Sequence, residues 1–234
     1  MENKKTTIVL IIILLLVVAL IVVSYFYNDF NTTQVDLLTI EANKILEADI
    51  LEDNIDLKIR TDRNYAKVEK SIKEYMYKLK NIYVEMEEMA LGINPNIIFS
   101  AQNLPDKKLD VIQDLINEYK EKSQSLISEY EELITEKKIT ENINNANISM
   151  RTDYYINLYQ EVMLSETMKN QFLDLEEEIK NEKANIYDKL NKIGKMKTFL
   201  EEHEDSWIIK DGKIHFTNVN RMTEYYNLFN QVIY

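Results

Sequence analysis

His203 and His215 are the two histidines of the chain, and it has no cysteine. That excludes disulfides, thiolate-bound zinc, iron–sulfur clusters and thiol nucleophiles. His203 sits in Glu201-Glu202-His203-Glu204-Asp205, an acidic helix end that offers at most a weak cation site and otherwise reads as a solvated terminus. Di-iron bundles use Glu-x-x-His pairs on facing helices; here Leu200 and Gly212 stand three residues before the histidines. The acidic triplets Glu85/Glu87/Glu88 and Glu176/Glu177/Glu178 interrupt apolar seams as exposed helix faces do. General acid–base work needs carboxylates paired in space, and 40 acidic residues give no such pair by spacing. No catalytic, cofactor or metal residue is therefore assigned, and no cofactor is expected. Fifteen tyrosines remain. Tyr65, Tyr75, Tyr119 and Tyr130 fall on helix seams, as core residues with hydroxyls at the rim or as an aromatic ligand box.

The elements that would position any site begin with an apolar run. Ile8 to Val23 is unbroken Ile, Leu and Val with one Ala. With Tyr25, Phe26 and Tyr27 it reaches the about 20 residues that span a bilayer core. Its insertion energy is about −5 to −9 kcal/mol. The run exceeds the usual apolar core of a cleaved signal peptide, and the bulky Ser24–Phe30 segment is unlike a small-residue cleavage site. Residues 6–27 thus read as an uncleaved transmembrane signal anchor, the chain's contact with the lipid bilayer. Lys4 and Lys5 precede it and Asp29, Asp36 and Glu41 follow it. The positive-inside rule then places residues 1–5 in the cytoplasm and residues 31–234 outside.

The net charge is −12, of which residues 1–27 contribute +1. The remainder, at −13, should be repelled by nucleic acid and by anionic headgroups or polymers. Gly (3) and Pro (2) are too scarce for phosphate loops and favour long helices. A first helix is expected over residues 31–49, capped by Asn31, Thr32 and Thr33 or continuing the membrane helix. Ile55, Leu57 and Ile59 alternate with Asp56, Lys58 and Arg60, a period that suits a short strand, though a helix turn or linker fits too. Residues 64–91 carry a heptad seam of Tyr65, Val68, Ile72, Tyr75, Leu79, Ile82, Met86 and Met89. Residues 91–105 hold Gly92, Pro95 and Pro105 and form a connection. A second seam runs Leu109, Ile112, Ile116, Tyr119, Ser123, Leu126, Tyr130 and Leu133. The Asn-rich residues 141–149 form a turn. A last helical region starts near Thr152 with Tyr155, Leu158 and Val162, breaks or kinks near Ser165 and continues across Gly194 through Met168, Phe172, Leu175, Ile179, Ile186, Leu190, Ile193 and Leu200. Such stripes pack as an antiparallel, coiled-coil-like bundle within one chain or between chains.

Residues 206–216, SWIIKDGKIHF, read as a β-hairpin. Asp211-Gly212 is a two-residue turn signal. The register it sets pairs Ile209 with Ile214, Ile208 with His215 and Trp207 with Phe216. Trp207, Ile209, Ile214 and Phe216 then share one apolar face. A hairpin this small cannot stand alone. The four residues are expected to clasp one end of the bundle, with a final helix over residues 220–233 (Tyr225, Leu228, Phe229, Val232). Residues 55–60 offer a third strand. The fold class is mainly α with this small β element.

Residues 40–76, residues 153–164 (DYYINLYQEVML), the hairpin and residues 224–230 (EYYNLFN) resemble an uncharacterised family of singly anchored helical proteins from low-GC Gram-positive bacteria. The resemblance implies location and a single domain, and no activity. The expected function is a non-catalytic membrane-anchored module that binds an envelope protein or further copies of itself. The alternative is a ligand-sensing or solute-binding bundle. With five residues on the cytoplasmic side, it would signal through a separate membrane partner.

Overall fold

The computed structural model describes residues 2–104 and 107–233, with side chains from Leu14 onward. Pro105, the last residue of the expected connection, and the side chains of residues 6–13 lie outside that set. The described residues form eight helices and one hairpin. In order they are α1 (Glu2–Glu47), α2 (Arg63–Gly92), α3 (Pro95–Ile98), α4 (Asp110–Leu133), α5 (Glu136–Asn144), α6 (Thr152–Met163), α7 (Glu166–Glu202), β1 (Trp207–Lys210), β2 (Lys213–Phe216) and α8 (Val219–Ile233). They group into two compact units. Residues 1–75 and 140–165 make the first, residues 76–139 and 166–234 the second.

In the first unit α1 runs unbroken from the apolar segment to Glu47. At about 1.5 Å per residue it is roughly 70 Å long. Thr32 and Thr33 do not cap a new helix. Their hydroxyls donate to the carbonyls of Asn28 and Asp29, each at 3.0 Å, inside the continuing one. The buried face of α1 is Gln34, Leu38, Glu41 and Ala42, two of them polar. Those two are matched by polar groups from the segment before α2 and from α2 itself. The Asp62 amide donates to Gln34 Oε1 (2.6 Å). Lys73, 2 % exposed, donates to Glu41 Oε2 (2.6 Å), to Glu69 Oε1 (2.7 Å) and to the Lys58 carbonyl (2.7 Å). That uses all three ammonium protons. Glu69, 1 % exposed, also accepts from the amides of Arg60 (2.9 and 3.1 Å) and Thr61 (2.8 Å) and from the Thr61 hydroxyl (2.8 Å).

This network replaces the expected third strand. Residues 54–60 have no strand partner, and the sheet has two strands. The amides of Arg60 and Thr61 and the carbonyl of Lys58 serve Glu69 and Lys73 instead of a ladder. The alternation is also not one-sided in space: Ile55 and Ile59 are half-buried and Leu57 is exposed. The Asn-rich turn is shorter than expected. α5 holds residues 141–144 because Ile139 and Ile143 are buried, and packing outweighs the poor helix propensity of Asn. Asn142 then donates to the Ser71 carbonyl (3.2 Å) and to Tyr159 Oη (3.0 Å).

The second unit is built on three helical segments: residues 76–92 of α2, α4 and α7. Lys78 pairs with Glu129 (3.0 Å) and Lys122 with Glu85 (2.6 Å), so this part of α2 and α4 run antiparallel. Tyr130 Oη donates to the Phe172 carbonyl (2.7 Å) and Lys183 to Gln124 Oε1 (2.5 Å), which sets α4 and α7 antiparallel. A Cβ at Gly194 would sit 3.9 Å from Ile116 Cδ1, so the glycine lies in the α4–α7 contact. The seam positions expected in α2 and α7 are all buried, and in α4 only Tyr119 and Leu133 are half-buried. The expected break falls at Leu164–Ser165, between α6 and α7.

Burial alone would raise Glu41 and Glu69 and lower Lys73. The hydrogen bonds and charges between them win, so the carboxyls titrate below and the ammonium above its usual range. The carboxylate contribution is present above about pH 4.3 and is lost as pH falls through the depressed values. The Lys73 contribution is present below about pH 10.4 and is lost as pH rises through the raised value. Lys73→Met leaves two buried carboxylates without their cation and should cost about 3–5 kcal/mol. In chemical denaturation followed by circular dichroism, wild-type stability should fall as pH is lowered from about pH 5 to about pH 3, through the depressed carboxyl values. The variant, with its carboxylates ready to take up protons, should lose less or gain over the same range. Equal pH slopes for both would refute the network's role.

Candidate functional site

The clasp residues lie in a hairpin with the expected register: Trp207 opposite Phe216, Ile208 opposite His215, Ile209 opposite Ile214 and Lys210 opposite Lys213. Asp211 (φ 51°) and Gly212 (φ 78°) make the turn, both left-handed as such two-residue turns require. Trp207 is fully buried, and Ile209, Ile214 and Phe216 are half-buried. The indole N–H donates to the Leu200 carbonyl at the end of α7 (2.9 Å), and the Lys107 ammonium lies 4.6 Å from the ring centroid. The Phe216 ring sits 6.2 Å from Phe199 and 5.1 Å from Tyr225 of α8. The Ala101 amide donates to the Gly212 carbonyl (3.3 Å). α8 starts one residue before the expected position and buries Tyr225 and Val232, with Leu228 and Phe229 half-buried. His215 points to solvent. His203 stacks on Phe199 (4.6 Å), with Nδ1 2.9 Å from the Phe199 carbonyl, as a helix-end packing residue does.

A different site, with no counterpart in the sequence reading, lies in the first unit just beyond the apolar run. Tyr27, Phe30 and Asn31 of α1, Arg63, Asn64 and Lys67 of α2, and Ser149, Met150, Arg151 and Tyr155 enclose a pocket of about 410 Å³. The first turn of α2 and the start of α6 both open onto it. Arg63 lies over the Phe30 ring (4.6 Å) and Arg151 over the Tyr154 ring (4.5 Å). Lys67 donates to the Asn147 carbonyl and Asn64 to the Ser149 carbonyl, which ties the α5–α6 connection to α2.

Tyr155 of the lining packs against Tyr65 and Tyr154, the three rings edge to face at 5.0–6.4 Å. Tyr65 Oη lies 3.4 Å from Asn31 Oδ1 and 3.5 Å from Tyr154 Oη. Burial and the neighbouring tyrosines push the Tyr65 hydroxyl well up, so it acts as a neutral donor and not as a base. The Tyr27 hydroxyl beside Arg151 keeps that guanidinium firmly protonated.

Backbone strain gathers at the same place. Arg63, Asn147, Met150 and Arg151 have φ between 49° and 57°, a region that costs a residue with a Cβ roughly 1–2 kcal/mol. Met150 is 82 % exposed. The pocket presents fixed positive charge and aromatic faces, with no carboxylate in its lining. That arrangement suits an anion, and it lacks the paired acid and base that proton transfer needs. Sequence reading missed it because its cations lie on two segments more than 80 residues apart, Arg63 and Lys67 on α2 and Arg151 at the start of α6, and only the tertiary fold collects them. The one local signal is scarcity: two of the chain's four arginines are here.

Comparison with known proteins finds no family model, no curated protein and no solved structure that matches this chain.

Trp207 tests the clasp. Trp207→Ala should cost about 3–5 kcal/mol from the cavity and the lost packing. Its thermal unfolding midpoint should fall by several degrees. An unchanged midpoint with loss of a binding partner would make the hairpin a recognition element instead.

Proposed function

We propose that the chain is a single-pass membrane protein with a cytoplasmic N-terminus, and that residues 31–234 form a non-catalytic interaction module outside the cell membrane. Helix α1 carries this reading. It is long and apolar enough to cross a bilayer, and no residue of the window that meets this test is buried by the rest of the chain. Leu14 to Val23 and Tyr25 to Tyr27 form one exposed apolar band, far more than a soluble monomer leaves uncovered. Tyr25, Phe26 and Tyr27 at its end suit the interface between hydrocarbon and water. Lys4 and Lys5 on one side and Asp29 and Asp36 on the other support the orientation.

The continuity of α1 into the buried Gln34–Ala42 face supports a first unit held at a fixed height above the bilayer. An envelope protein or further copies of the chain are its partners in this reading. The resemblance to singly anchored helical proteins of low-GC Gram-positive bacteria points the same way.

The absence of cysteine makes the test clean. Lys210→Cys in the hairpin turn region should react with a membrane-impermeant maleimide in intact cells. Asn3→Cys should react only after lysis. The reverse pattern would put the module in the cytoplasm, and labelling of both in intact cells would remove the anchor reading.

A further inference from the structure

We propose that the pocket between α1, α2 and the start of α6 binds a phosphate group, supplied by the headgroup of an anionic phospholipid in the leaflet that α1 leaves. The inference rests on the membrane reading above and names a ligand for it.

Charge is the first argument. Residues beyond 27 carry a net charge of −13, yet Arg63, Lys67 and Arg151 converge on one pocket. Asp29, Asp62 and Asp153 flank these segments in sequence, and none of them lines it. None of the three cations forms an ion pair with a carboxylate among the described residues. Two guanidinium forks can each grip a phosphate through paired N–H groups. The Arg151 side chain gives α6 no cap, so the start of that helix adds amide donors and a positive dipole end. A volume of about 410 Å³ admits a headgroup.

Height is the second argument. Tyr27 closes the span, and Phe30 and Asn31 come three and four residues after it. Along a continuous helix that is about 4–6 Å. The polar layer of a bilayer extends about 5–8 Å beyond each side of the hydrocarbon. The pocket therefore opens where lipid phosphates lie, and the exposed Met150 at its rim can rest among the upper methylenes.

The third argument concerns source. The acidic surface elsewhere repels free polyanions approaching from solution. A lipid is already confined to the plane of the pocket, so its effective concentration there is high. This narrows the expectation that anionic headgroups are repelled: the bulk of the module repels them, and one pocket selects them.

The test uses the full chain in lipid nanodiscs of phosphatidylcholine with and without phosphatidylglycerol, released gently and weighed by native mass spectrometry. One phosphatidylglycerol should stay bound in preference to phosphatidylcholine. Arg63→Gln and Arg151→Gly should each lower that preference about tenfold, the loss expected for one charge-assisted contact. Glycine at residue 151 also relieves the left-handed backbone, so this variant should melt no lower than wild type while it loses lipid. A purely structural Arg151 would not separate the two readouts. Lys210→Gln with Lys213→Gln removes two charges elsewhere and should change nothing. No headgroup preference, or a preference untouched by both pocket variants, overturns the proposal. Inorganic phosphate that binds in phosphatidylcholine discs as well as the lipid does overturns the lipid source. Release of the chain from membranes by alkaline carbonate would refute the anchor, whereas retention without headgroup preference refutes the pocket alone.

Discussion

One buried ammonium organises the first unit. Lys73 is buried and gives its three ammonium protons to Glu41 on α1, Glu69 on its own helix and the Lys58 carbonyl between. Removing an ion from water is costly unless its partners replace every hydration contact. The network does so, and the geometry it demands is specific. It sets the axial register of α1 against α2 and shapes residues 54–61 into an extended strap that returns the chain to the start of α2. An apolar contact would tolerate a helix slide of part of a turn; three short charge-assisted bonds do not. The left-handed Arg63 that follows the strap is thus held in place from two sides.

Polar groups are sorted by depth and by sign. Carboxylates dominate the helix surfaces, where pairs such as Lys78–Glu129 and Lys122–Glu85 tie neighbours together at modest gain. Cations unmatched by acids gather where α1 emerges from its apolar band. The two regions follow different rules. On the bundle, charge supports solubility and register; at the pocket it is concentrated, braced by aromatic faces and backed by strained backbone. Strain of that kind persists only where surrounding contacts enforce it, here the bonds from Lys67 and Asn64 to the α5–α6 connection.

Apolar period made most of the helices legible in the sequence. The seam from Tyr65 to Met89 and the run from Met168 to Leu200 are buried nearly residue for residue, because a helix of period 3.6 exposes any misplaced apolar side chain. The hairpin was legible for a different reason, since Asp211-Gly212 dictates both turn and register. Residues 55–60 stayed open between strand, helix turn and linker because a short alternation carries no information about what its backbone bonds to, and the structure makes them a linker. The ionic network was invisible because Glu69 and Lys73 sit beside the seam residues Val68 and Ile72, where solvated helix charges are usual. Their spacing of four was the only hint, and it occurs throughout the chain. The basic pocket needs α1, α2 and α6 brought together, which no one-dimensional pattern records.

The unbroken α1 has a mechanical consequence. A helix whose apolar length differs from the local hydrocarbon thickness adjusts mainly by tilting. A hinge between anchor and module would absorb that tilt. Here no hinge exists through residue 47, and Lys73 locks α2 to the same rod. In the proposed membrane orientation, bilayer thickness would be read out as the attitude of the first unit, with α1 acting as a lever as well as a tether.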